Sequence, residues 1–377
     1  GGHWLGMGRR LLADPVFAAA LRRCDLALAR VAPGTSLLAD LQDPDIEPRW
    51  RSKWVVQRTI LGLQIALAAV LRAWGVVPAV MVGHSSGELA AAVAAGALSL
   101  SDAFRLCLAR TTLFDRLPAG AMAVVGCGPE AVAGPLAAWA GRATIAVHNA
   151  PQQVVVSGDV EAIAGLGRHF AAHNVFFRPV AGADAAGHSH HLDPFLPEFA
   201  AAVADLAPAP TTVPFYSSVT AGPLVGPALD VAHWTANLRQ RVRFAETVAQ
   251  LQRDGIDAFL EVGPHPLLAS AIAQVAPDAA VVATLERGAD DRLALRGALA
   301  RLHVAGVDLD DARIAPAGSP ALALPRHPWH RQTHWISPAR GVVATGRHPL
   351  IHSELRVART GETITEGHLD AGRPDLP

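Results

Sequence analysis

The pentapeptide Gly83-His84-Ser85-Ser86-Gly87 sits at a junction that few folds can supply. A short apolar run, Ala79 to Val82, stops at its first glycine, and the helix-forming run GELAAAVAAGALS leaves from its last. A serine between two glycines at a strand-to-helix turn satisfies the G-x-S-x-G pattern of a nucleophile elbow. The chemistry asks for this spacing. The nucleophile's backbone is strained, so its neighbours two residues away must be small. The helix that follows aims its free N–H groups at a developing oxyanion. A plainer reading stands beside it, because Ser85-x-x-Glu88 also matches a helix capping box. Helix, strand, tight turn and helix together are the local grammar of an α/β sheet with a parallel core.

The flanks extend that grammar. Residues 58–74, RTILGLQIALAAVLRAW, are apolar around most of a helix and predict a largely buried one, ended by Gly75 and Pro78. Ser101 and Asp102 are expected to cap a further helix, AFRLCLARTTLF. Between about residues 117 and 184 the texture changes. AMAVVG, QQVVVSG and NVFFRPV read as strands, with PEAVAGPLAAWA and DVEAIAGLGRHFAAH as helices, a βαββαβ-like set expected to form an inserted subdomain. The α/β rhythm resumes with VPFYSSVT, VRFAETVAQLQRDG and AFLEVGP. Residues 307–336 lose it. Their Pro, His, Trp and Arg predict an extended linker laid over a surface. Residues 337–377 hold two candidate strands, LIHSELRVA and GETITEGHLD, too short to close a domain.

Composition removes several function classes. A formal charge of −1 argues against a nucleic-acid partner, which demands a basic face. The three cysteines, Cys24, Cys107 and Cys127, are scattered and odd in number, so neither a disulfide framework nor a metal knot is expected. The most apolar stretch, Ile65 to Gly83, is broken by Arg72, Gly75 and Pro78, which argues against a membrane span. The expectation is a soluble, cytoplasmic protein of a reducing compartment. The chain starts without Met and ends on GRPDLP, and is expected to be a piece of something longer.

A nucleophilic serine needs a base. His84 adjoins Ser85 but, as its neighbour in a turn, is expected to point elsewhere. His327, His330 and His334 belong to the linker. The segment GADAAGHSHHLDPF places His188, His190 and His191 in a loop of small residues after the inserted subdomain, and any of the three could be the base. Arg110 follows Ser85 by 25 residues, among apolar residues on a helix expected to pack near the turn. A buried arginine needs a partner. An internal ion pair is the plain reading; a substrate carboxylate is the functional one.

Taken together, GHSSGE, the arginine 25 residues on, and the small-residue-plus-histidine loop resemble the acyltransferase domain of modular polyketide synthases. That domain is similar to malonyl-CoA:acyl-carrier-protein transacylases. GGHWLGMGRRLL resembles the domain's opening. AGALSLSDA, VHNAPQQVVVSGD, HWTANLRQRVRF and FLEVGPHPLL resemble its later signatures in the same order. LPRHPWHRQTHW resembles the linker that follows the domain, and GRHPLI resembles the first residues of a dehydratase domain.

The resemblance implies an α/β fold, with a hydrolase-like parallel core and an inserted ferredoxin-like subdomain. It implies an acyltransferase over residues 1–306, a linker over 307–336 and the start of a truncated dehydratase over 337–377. Ser85 would be the nucleophile and His188 the base, with a backbone carbonyl orienting the imidazole. Arg110, Ser86, His84, Gly187, Ala185 and Asn149 would meet the substrate. No bound cofactor or metal is implied. The donor would be an acyl-CoA and the acceptor the phosphopantetheine arm of an acyl carrier protein, with neighbouring ketosynthase and dehydratase domains as partners. The family's opening glutamine would precede Gly1. Ala185-Ala186-Gly187-His188 departs from the usual H-A-F-H and Y-A-S-H forms, and its small residues imply a roomy pocket for methylmalonyl or a larger alkylmalonyl unit. Trp54 to Gln57, WVVQ, resembles the V-V-Q upstream in methylmalonyl-selective domains. Two rivals use the same residues: an α/β-hydrolase-type esterase, and a non-catalytic scaffold descended from a synthase.

Overall fold

The computed structural model describes residues 2–43, 45–314, 323, 325, 328–330, 332, 351 and 353–367. The chain divides into two units, Gly1–Ser319 and Pro320–Pro377. The first unit opens with helices α1 (Pro15–Val31), α2 (Leu37–Gln42) and α3 (Lys53–Ala73). Asp14 caps α1 by accepting from the Val16 and Phe17 amides, with Pro15 in the first turn. Helix α3 is long and apolar enough to cross a membrane by length and composition. Its Leu61, Leu63, Ile65, Ala66, Leu67, Val70 and Leu71 are instead buried in the core. It also carries Arg58, which pairs with buried Asp40 at 2.6 Å.

Strand β1 (Met81–Val82) then feeds α4 (Gly87–Ala94), and α5 (Leu100–Phe114) packs against α1, α3 and α4. The cap of α5 lies two residues earlier than the sequence implied. Ser99 Oγ accepts from the Asp102 amide at 3.0 Å, and Ser101 lies inside the helix.

The inserted layer consists of β2 (Gly120–Val125), α6 (Pro129–Ala137), β3 (Ala143–Ala150), β4 (Gln153–Asp159), α7 (Val160–Ala172) and β5 (Phe177–Pro179). Its antiparallel sheet has the order β3-β4-β2-β5, the ferredoxin-like arrangement of a βαββαβ unit. Alternation along β4 explains its unbroken valine run. Val154 and Val156 face α7 in one core, while Val155 faces the opposite core. Strand β3 escapes the sequence reading because its register shifts twice, between Ile145 and Val147 and between His148 and Ala150, which breaks the alternation.

The chain continues through α8 (Leu196–Ala202), β6 (Phe215–Ser217), β7 (Gly222–Leu224), α9 (Val231–Arg239), α10 (Phe244–Arg253), β8 (Ala258–Glu261), α11 (Ala269–Val275), β9 (Ala280–Ala283), α12 (Asp291–Val304) and α13 (Asp311–Ile314). The parallel core is real but short. β1 pairs parallel with β6, β6 antiparallel with β7, and β8 parallel with β9. Pro78 and Pro214 bound the first ladder because neither has an N–H, and the Met81 amide donates to the Pro214 carbonyl at 2.8 Å.

In the second unit, β10 (Ser353–Arg356) and β11 (Thr363–Glu366) form an exposed antiparallel hairpin. These are the two candidate strands of the sequence. Most of the linker, including His327 and His334, and residues 337–350 lie outside the described residues.

The β1–α4 junction yields the first prediction. A Cβ added at Gly83 would lie 2.2 Å from the Glu88 nitrogen, whereas one at Gly87 meets nothing within 4 Å. Gly83→Ala is expected to lower the unfolding free energy by about 1–3 kcal/mol, and Gly87→Ala to leave it near the parent value, both measured by urea denaturation. Equal effects of the two would contradict the packing described.

Candidate active site

The turn between β1 and α4 holds Ser85 in the left-handed region, with φ of 53°. A non-glycine residue there is strained by about 1–3 kcal/mol and persists only where its surroundings enforce it. The Gly83–Glu88 approach is that enforcement. The capping box is absent. No side chain caps α4, and Glu88 is turned fully inward. The Ser86 amide meets no acceptor among the described residues, so it remains free to donate at the mouth of the turn.

The loop after the inserted subdomain supplies a second strained residue, His188, with φ of 55°. The loop is tied to β2 through the Gly120 amide, which donates to the Asp184 carbonyl, and through the Ala119–Ala185 bridge. His188 Nε2 lies 2.8 Å from Ser85 Oγ, and its Nδ1 lies 2.9 Å from the Gln240 carbonyl oxygen. A carbonyl only accepts, so Nδ1 carries the proton and Nε2 presents its lone pair to the serine hydroxyl. His190 and His191 do not approach Ser85. Both turn to Asp159, at 3.3 and 2.8 Å.

Arg110 reaches the nucleophile from α5. Its Nη2 donates to Ser85 Oγ at 3.1 Å and its Nη1 to Asn237 Oδ1 at 3.4 Å, and its guanidinium lies 5.1 Å from the centre of the Phe114 ring. Among the described residues it makes no ion pair, so the plain reading of Arg110 as one half of an internal salt bridge is incorrect. Glu88, the acid whose field acts on Arg110, is engaged elsewhere. Burial draws the Arg110 pKa down to about 10, against the opposing pull of Cys107 and Glu88. Burial also pushes the His188 imidazole down to about 3, assisted by the Arg110 and His84 charges and resisted by the Gln240 carbonyl.

The remaining residues read from the sequence surround these three less directly. His84 points away from the serine, as expected; its Nε2 lies 2.9 Å from Asn149 Oδ1, and its ring meets Phe244 edge-on. Asn149 therefore supports the turn rather than standing alone. Ala185 and Ala186 are buried. A Cβ placed on Gly187 would meet Phe114 at 3.3 Å and Met122 at 3.8 Å, so the space beside Gly187 is partly taken by neighbours and less open than its missing side chain implied. Asn237, Gln240, Glu88 and Phe114 were not read as site residues, although HWTANLRQRVRF already marked the segment bearing two of them. A surface cleft of about 550 Å³, lined by Val31, Arg105, Leu108 and Phe199, includes none of Ser85, His188 and Arg110, so volume alone does not locate this chemistry.

Asp159, His190 and His191 bring three potential metal-ligand atoms within 4.8 Å of one another. The Asp159 carboxylate is already held by both imidazoles and by Arg142 at 2.8 Å, and the His191 hydrogen bond is the first cause of its pKa falling to about 2. The trio is a polar cluster that fastens the His188 loop to the end of β4.

A strained serine at a strand–helix turn, a histidine bonded to a backbone carbonyl and a half-buried arginine without an ion pair among the described residues thus stand in mutual reach. Residues 1–309 match the acyl transferase domain family, and the chain belongs to it. It is similar to erythronolide synthase EryA2 of Saccharopolyspora erythraea, at 37% identity over 364 residues, covering 92% of this chain and 10% of that protein. The chain thus spans about a tenth of the length of that relative. Among solved structures it resembles the acyltransferase domain from module 8 of the salinomycin polyketide synthase, with a TM-score of 0.79, 35% identity, and coverage of 83% of this chain and 75% of that one. It also resembles the acyl transferase domain of SpnD in complex with 2-(pent-4-yn-1-yl)malonyl, with a TM-score of 0.75, 30% identity, and the same coverage of 83% and 75%. The chain is an acyltransferase with the α/β architecture of these domains.

The depressed His188 pKa sets a pH dependence. Were His188 the general base, it would have to be neutral, so activity would be present above its pKa and lost as pH falls through it. The acid limb of kcat/KM for acyl loading, which reports the free enzyme, is expected well below the 6.5 of an ordinary histidine. A limb centred at 6.5 or above would contradict the buried, cation-flanked environment.

Proposed function

We propose that this domain loads a malonyl-type extender unit from coenzyme A onto Ser85 and passes it to the phosphopantetheine thiol of an acyl carrier protein. The observation that carries the reading is Arg110: a half-buried cation with no acidic partner among the described residues, donating to the oxygen of Ser85. An esterase for simple acyl groups has no use for such a charge. A substrate with a free carboxylate two bonds from its thioester carbonyl supplies the partner.

In this mechanism Ser85 Oγ attacks the thioester carbon as its proton moves to His188 Nε2. The Nδ1–H bond to the Gln240 carbonyl holds the ring while it is charged. The Ser86 amide donates to the oxyanion. Collapse breaks the C–S bond, and His188 returns its proton to the departing coenzyme A thiolate. The carrier thiol then gives its proton to His188 and attacks the acyl-serine carbonyl; collapse breaks the bond to Ser85 Oγ, and His188 returns its proton to that oxygen. Proton transfer of this kind contributes roughly 10²–10⁴-fold. No metal or bound cofactor takes part. A scaffold without activity has no reason to keep Ser85, His188 and Arg110 in contact, and a hydrolase would place a carboxylate where the Gln240 carbonyl stands.

The wider setting follows the same reading. Residues 1–306 form the acyltransferase and 307–336 a linker, and 337–377 begin a dehydratase. A carrier protein and the ketosynthase and dehydratase domains of one cytoplasmic synthase would be its partners. For the extender, the small residues Ala185 and Gly187 favour methylmalonyl or a larger alkylmalonyl unit, with Phe114 and Met122 as the walls that limit the branch.

Two outcomes test this. Arg110→Ala is expected to lower the preference for malonyl-CoA over acetyl-CoA by roughly ten- to a hundredfold, the worth of one charge-assisted pair. An unchanged preference would leave Arg110 with a structural role only. In a competition between malonyl-, methylmalonyl- and ethylmalonyl-CoA, the parent is expected to accept the branched units, and Gly187→Phe to shift it toward malonyl by about 10–200-fold. Strict malonyl selectivity in the parent would overturn the pocket argument.

A further inference from the structure

Glu88 is fully buried and anchored on every side. Its Oε1 accepts from Ser217 Oγ at 3.2 Å, from the Ser218 amide at 2.6 Å and from Ser218 Oγ at 2.7 Å. Its Oε2 is met by His233 Nε2 at 2.9 Å and Asn237 Nδ2 at 3.1 Å. So held, the carboxylate cannot swing to Arg110. Asn237, itself buried, stands between them. Its Nδ2 donates both to Glu88 and to the Ser85 carbonyl at 3.2 Å, and its Oδ1 accepts from Arg110. The amide has one permitted orientation. Flipped, it would set its NH₂ against the guanidinium and its oxygen against the carboxylate.

We infer that Asn237 is a positioning residue for substrate selection: a neutral spacer that aims Arg110 at Ser85 while leaving the guanidinium charge unpaired for the substrate's carboxylate. This rests on the reading of Arg110 given above. A carboxylate at position 237 would pair with Arg110 directly and compete with the substrate for it. A side chain without an acceptor would leave Nη1 unsupported and the guanidinium free to turn from the nucleophile. Glu88 contributes at a distance. Its negative field reaches Arg110 through one polar residue and favours the charged guanidinium without forming an ion pair. The same amide grips the carbonyl of Ser85, so the aim of the arginine and the pose of the nucleophile are set by a single side chain.

The test compares kcat/KM for malonyl-CoA and acetyl-CoA in the parent, Asn237→Asp, Asn237→Ala and Arg110→Ala, with folding of each checked by thermal denaturation. The readout is the malonyl-to-acetyl ratio, because damage to Ser85 or to packing lowers both substrates together. Asn237→Asp is expected to lower the ratio roughly ten- to a hundredfold. Asn237→Ala is expected to lower it less, through a higher KM for malonyl-CoA. Should the aspartate fail to fold beside Glu88, the alanine variant carries the test alone. A ratio within about twofold of the parent in every folded Asn237 variant, while Arg110→Ala collapses it, would overturn this inference and leave the role of Arg110 standing. A ratio unmoved by Arg110→Ala would take both down.

Discussion

The approach of Gly83 to the first turn of α4 is the constraint on which the site depends. A side chain at residue 83 would collide with the Glu88 backbone, and only glycine lets strand and helix close to that distance. The closure forces Ser85 into the left-handed region and lifts its hydroxyl out of the turn. It leaves the Ser86 amide without an acceptor among the described residues and drives Glu88 inward, to be gripped by Ser217, Ser218, His233 and Asn237. One tight contact thus prepares the nucleophile, a free N–H donor and the buried acid behind them.

The charges around that turn are arranged by exclusion. Glu88 is committed to its own donors, so among the described residues the charge of Arg110 is left unpaired, although burial lowers its pKa to about 10. Burial and the same cation hold His188 neutral, the state its proposed role as general base requires. The two flanking histidines are drawn off by Asp159 and fasten the loop that carries the base. In the proposed reading, specificity and reactivity share a cause: the uncompensated charge of Arg110 would attract an anionic substrate and helps keep the His188 imidazole unprotonated.

What was legible in the sequence was what local pattern controls. Ser85 announced itself through its glycines, β2 and β4 through their valines, and α3 through its apolar circumference. What lay beyond reach was decided by distant contacts. The cap of α5 falls on Ser99 rather than Ser101, a choice between two serines two residues apart. Strand β3 hid behind its register shifts. Glu88 reads locally as a cap and is in fact a hub, because its five donors come from segments 129 to 149 residues away. Gly187 reads as empty space, but Phe114 from α5 and Met122 from β2 stand beside it. Which of three histidines serves Ser85 was settled from residues alone only as a set. The family resemblance chose His188, and the Gln240 carbonyl that steers it arrives from the end of α9.

The most direct test is to trap the acyl-enzyme. The domain is mixed with malonyl-CoA in the absence of carrier protein, quenched in acid within seconds and analysed by intact mass and peptide mapping. The account predicts a single malonyl increment on the peptide bearing Ser85, absent from Ser85→Ala and discharged when a phosphopantetheinylated carrier protein is added. An increment on another residue, or release of coenzyme A and malonate with no adduct at Ser85, would contradict it.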